Sequence, residues 1–73
     1  MKKFAERLKQ ARQDAGISQQ SLVDATGIHL RQLGRYEQDV SEPTLPKLIA
    51  IADVLGVSID YLAGRTDDPK LYK

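Results

Sequence analysis

The chain of 73 residues has no cysteine, no tryptophan, a single histidine and a single phenylalanine. Without cysteine, neither a disulfide nor a thiolate-bound zinc can staple a small core. His29 has no second histidine to share a metal ion, so no metal site is expected. No Gly-rich phosphate loop is present and no nucleophile has a histidine at hand, so neither a cofactor nor an enzymatic activity is expected. No apolar run reaches bilayer length, which argues against a membrane partner. The opening "MKKFAERLKQ" has the lysines of a secretion signal, but Glu6, Arg7 and Lys9 interrupt the apolar stretch such a signal needs. A cytoplasmic protein is the expectation.

A chain this short buries roughly 60% of its unfolded surface, so a single helical core must supply the stability, alone or with dimerisation. The net charge of +1 says little, but its distribution says more. Lys2, Lys3, Arg7, Lys9 and Arg12 face only Glu6 in the first twelve residues, and Arg31 and Arg35 form a second basic spot. Between Glu37 and Asp60 the sign reverses, with Asp39, Glu42 and Asp53 against Lys47 alone. A near-neutral chain with one basic side fits a nucleic-acid binder, although solvated helix faces produce the same pattern.

Phe4, Leu8, Ala11 and Ala15 recur at helical spacing and stop at Gly16. Ser18 caps a second helix with Leu22 and Val23 inward, ended by Gly27. A third places Leu33, Tyr36 and Glu37 on one side, with Arg31 and Arg35 nearly opposite. Thr44 caps a fourth helix that tolerates Pro46 in its first turn and carries the stripe Leu45, Leu48, Ile49, Ala52 and Leu55, ended by Gly56. Ser58 caps a short last helix through Tyr61, Leu62 and Ala63, closed by Gly64. Valine and threonine never alternate, so there is no strand signal. The fold class is therefore all-α, a compact bundle of about five short helices spanning residues 1–64. A polar tail, residues 65–73, is expected to fray unless Leu71 and Tyr72 dock.

The stretch "ISQQSLVDATGIHLRQLGRYEQDVSEPTLPKLIAIADVLGVSIDYLAG" resembles the Cro and phage-repressor (Xre-like) family of helix-turn-helix DNA-binding domains. Carrying the resemblance are a glutamine opening the second helix, glycine at the turn, an apolar residue then glutamate late in the third helix, and the closing "LGVSIDYLAG". It extends from about Phe4 to Gly64 and implies a lambda-repressor-like domain whose third helix enters the major groove.

By that resemblance, Leu30, Arg31 and Arg35 are the base-reading candidates. Arginine suits the role through its bidentate fork to guanine, whereas Leu30 either touches a thymine methyl or packs inward. Ser18, Gln19, His29, Gln32, Gly34 and Lys9 are the phosphate or rim candidates. The alternative for Gln19 is a plain first-turn surface residue, and Ser18 is a cap on either reading. Gly34 either lets the helix approach DNA closely or is a tolerated surface glycine. Arg12 and Glu37 stand where parts of the family form a partly buried ion pair. Val57, Ile59, Tyr61 and Leu62 are dimer-interface candidates, or else core.

The sequence also departs from the family pattern. Val23 replaces a preferred alanine, Thr26 an apolar residue and Asp39 a glycine, and "QDVSEP" is acidic where some relatives are basic. The resemblance implies a sequence-specific double-stranded DNA-binding transcriptional regulator, a repressor acting as a homodimer on a palindromic operator. The alternative is a protein-interaction module, such as an antitoxin or antirepressor-type protein, with a regulatory protein as its partner. The tail is too short for an effector domain. Control would then come from concentration, a partner or proteolysis, unless the chain is a fragment of a longer regulator.

Overall fold

A computed structural model describes residues 3–70, so the expected docking of Leu71 and Tyr72 lies outside the described residues. Five helices follow one another: α1 (Phe4–Asp14), α2 (Gln19–Thr26), α3 (Leu30–Glu37), α4 (Leu45–Leu55) and α5 (Ile59–Leu62). No strand occurs among the described residues, and none of their helices is long and apolar enough to cross a membrane.

Local chemistry sets the helix starts. The Ser18 hydroxyl accepts from the Ser21 amide at 3.0 Å, and the Ser58 hydroxyl accepts from the Tyr61 amide at 2.9 Å. Each satisfies one of the amides that a helix start leaves without an acceptor. Thr44 occupies the N-cap of α4 as expected, but its side chain makes no capping bond.

Reversed backbone bonds close the helix ends. After α1, Gly16 donates to the Gln13 carbonyl and Ile17 to that of Arg12. The same pair of bonds ends α3, where Asp39 donates to Tyr36 and Val40 to Arg35, at 3.3 and 2.9 Å. That closure needs a left-handed residue, and Asp39 supplies it at φ +60°, alone among the described non-glycine residues. After α5, Gly64 has φ +80°, and a β-carbon there would lie 2.9 Å from that of Lys3. Gly64 is thus required both by its backbone conformation and by the start of α1 lying against it.

Phe4, Leu8, Leu22, Leu33, Tyr36, Ile51 and Leu62 are the largest fully enclosed side chains. Phe4 meets Tyr36 edge to face, with ring centroids 6.2 Å apart. Helix α1 packs on α3 and α5, α2 on α3 and α4, and α4 on α5. Thr26, a polar residue near this core, donates to the Leu22 carbonyl at 2.8 Å and accepts from the Ile28 amide.

Two expectations need correction. The inward face of α4 is Leu48, Ile51, Ala52 and Leu55, while Leu45 and Ile49 are 62% and 41% exposed. "LPKLIAIADVL" is apolar nearly all round, so the sequence alone leaves its rotation open. The tail is not frayed over residues 65–70. Arg7 donates to the carbonyls of Tyr61 and Thr66 and pairs with Asp67, and the Ser58 amide donates to the Pro69 carbonyl at 3.0 Å. The Arg7 guanidinium also lies 4.3 Å from the centre of the Tyr61 ring, a favourable cation–π arrangement.

Candidate nucleic-acid interface

Helix α3 has two unlike faces. Leu33, Tyr36 and Glu37 are buried, and Arg31 and Arg35 are exposed on the other side. His29, Arg31, Gln32 and Arg35 line a shallow depression. Leu30 is 47% exposed beside them, which decides against packing inward. A β-carbon added at Gly34 would meet nothing within 4 Å, so the helix surface beside the arginines is bare.

The arginines of α1 and α3 divide sharply. Arg7 is bound to two carbonyls and Asp67; Arg12 is bound to Glu37 and the Ile17 carbonyl. The side chains of Arg31 and Arg35, by contrast, make no hydrogen bond or ion pair among the described residues. Two guanidinium forks on one helix face thus remain open to an external acceptor, and guanidinium recognises carboxylate, phosphate and guanine edges best.

Behind that face, Glu37 gathers three elements. Arg12 Nε donates to Oε2 at 2.8 Å and Nη2 to Oε1 at 3.3 Å, and Gln19 Nε2 donates to Oε1 at 3.1 Å. The side chains of Arg12 and Glu37 are only 14% and 4% exposed. One carboxylate therefore ties α1, the first turn of α2 and the last turn of α3 together. The side-chain amide of Gln19, a phosphate candidate by sequence, is turned inward to this carboxylate.

The remaining candidates separate as follows. Ser18 is exposed, with its hydroxyl engaged by Ser21. His29 is the N-cap of α3, exposed and without a capping bond. Lys9 is exposed on α1. Gln32 donates to the Ser41 hydroxyl at 3.2 Å, bracing α3 against the loop that follows it. Sequence reasoning missed Ser41 as that brace, because a loop residue nine positions away gives no periodic signal. Val57 and Leu62 are buried in the monomer's own core and offer no surface to a second copy; Ile59 and Tyr61 pack on the core but keep partial exposure. No cluster of histidine and carboxylate able to hold a metal ion occurs among the described residues.

A helix-turn-helix family model matches residues 8–62 of the chain. The SPbeta prophage-derived uncharacterized HTH-type transcriptional regulator YonR of Bacillus subtilis is 44% identical over 59 residues, which cover 81% of this chain and 55% of that protein. The cryptic phage CTXphi transcriptional repressor RstR of Vibrio cholerae is 40% identical over 63 residues, 86% of this chain and 56% of that protein. The chain thus spans a little over half the length of these relatives. The solved DNA-binding domain of the P22 C2 repressor is similar with a TM-score of 0.78 at 28% identity, covering 82% of this chain and 79% of that one.

Proposed function

The chain belongs to the helix-turn-helix family, and on that premise we propose that it is a sequence-specific double-stranded DNA-binding transcriptional regulator, a repressor. The observation that carries the reading is the open pair Arg31 and Arg35 on the exposed face of α3. Leu30, Arg31 and Arg35 then face base edges in the major groove. His29, Gln32 and Lys9 serve the rim and the phosphates, and Ser18 and Gln19 mark the start of α2, whose amides favour a phosphate. Gln19 acts through its backbone there, since its side chain holds Glu37.

One α3 covers only a few base pairs, so the protein acts as a homodimer on a palindromic site, with half-sites roughly 34–36 Å apart. Ile59 and Tyr61 are the dimer candidates with surface left to share. A regulatory role on DNA fits a cytoplasmic protein.

Titrating labelled random duplex DNA with the full chain at stepped salt tests this reading. Binding should weaken as salt rises, with a shallow slope, because Arg31 and Arg35 are the two basic residues on the exposed face of α3. No binding at micromolar protein would overturn the proposal and favour the protein-interaction module instead. Two chains per selected duplex would support the dimer, and one chain would refute it.

A further inference from the structure

Resting on that reading, we propose that each half-site contains two G·C pairs two base-pair steps apart, read by Arg31 and Arg35, with a thymine methyl held by Leu30. Arg31 and Arg35 are separated by one helical turn, so they project from nearly the same side of α3. Four residues advance about 6 Å along the helix axis. Stacked base pairs rise about 3.4 Å along the duplex axis, so the two forks, each on a long flexible stem, span one to two steps and reach pairs two steps apart.

Guanine is the base whose major-groove edge offers two acceptors, N7 and O6, to a paired donor. No carboxylate competes for either fork. Among the described residues neither arginine has an acidic partner, and Glu37 of the same helix is turned to Arg12 and Gln19. The bare backbone at Gly34, just before Arg35 and to one side of the two forks, lets this part of α3 approach the base edges closely. Leu30 lies one position before Arg31, exposed and without a polar atom. A thymine methyl is the apolar feature of the major groove it would meet.

The test is selection of bound sequences from a random duplex pool, performed with the wild-type chain and with Arg31→Ala and Arg35→Ala. Both variants alter exposed side chains and should stay folded, which circular dichroism checks. Two G·C pairs at the stated spacing should be enriched in each half-site, and each variant should lose a different one. Replacing either guanine by 7-deazaguanine, which lacks N7 but keeps O6, should weaken wild-type binding roughly 2- to 12-fold, about half the worth of a bidentate contact. Deoxyuridine in place of the thymidine should cost about fourfold for wild type, the worth of one methyl-sized group, and nothing for Leu30→Ala. Enriched sites without the spaced G·C pairs, or variants that leave the preference unchanged, would overturn this half-site while leaving DNA binding intact. A chain that binds no duplex at all would overturn the proposed function and this inference with it.

Discussion

Asp39 holds a left-handed backbone at φ +60° to close α3, where the resembled family places glycine. Aspartate tolerates that region better than most residues, yet glycine adopts it without steric cost. Asp39→Gly should therefore stabilise the domain by about 0.5–1 kcal/mol, raising the melting temperature by a few degrees. Calorimetry that showed an unchanged or lower melting point would mean that the aspartate side chain stabilises the turn. Glu37 behaves oppositely. Glu37→Ala leaves the Arg12 guanidinium in a mostly buried place without its carboxylate and frees the Gln19 amide, which should cost about 3 kcal/mol. Asp53→Ala, an exposed change on α4, should stay within about 0.5 kcal/mol. Equal melting points for the two variants would mean that the ion pair contributes nothing. The Arg12–Glu37 pairing was legible because the family resemblance nominated both residues; the third member, Gln19, was read as facing outward.

Among elements, α3 was the most legible. Leu33, Tyr36 and Glu37 fall opposite Arg31 and Arg35, so one helical period separates inside from outside. Helix α4 was not, because leucine and isoleucine occur on nearly every side and packing against α2 and α5 chooses the rotation. The exposure of Leu45 and Ile49 follows from that choice. Gly34 joins stability and recognition within α3. Its backbone is helical and its surroundings are open, so Gly34→Ala should add about 1 kcal/mol of stability from helix propensity. Binding to a selected duplex should weaken at the same time, because a methyl group beside the two arginine forks would hold the helix farther from the bases. Tighter folding with unchanged affinity would make Gly34 an ordinary surface glycine.

For the whole molecule, the polar composition of residues 65–70 concealed a structural role. No periodicity marks a segment held by backbone carbonyls, and the residue that holds it, Arg7, reads in the sequence as one more charge on α1. Arg7→Ala removes hydrogen bonds to the carbonyls of Tyr61 and Thr66 and the stacking on Tyr61, and should cost about 1–3 kcal/mol. Hydrogen exchange should report it locally: the Ser58 amide, bonded to the Pro69 carbonyl, should exchange faster in the variant. Unchanged exchange at Ser58 would show that the segment holds its place without Arg7.

The closeness of Gly64 to Lys3 has a topological consequence. Both ends of the five-helix unit meet, so the path from Lys3 through α5 is already an almost closed ring. A short covalent link between those positions would ask little movement of the folded chain. The unfolded chain would lose the freedom of a loop of about sixty residues, worth about 4 kcal/mol by the loop-closure relation. The domain is thus shaped for backbone cyclisation or circular permutation, with new ends free to open elsewhere and α3 left facing outward.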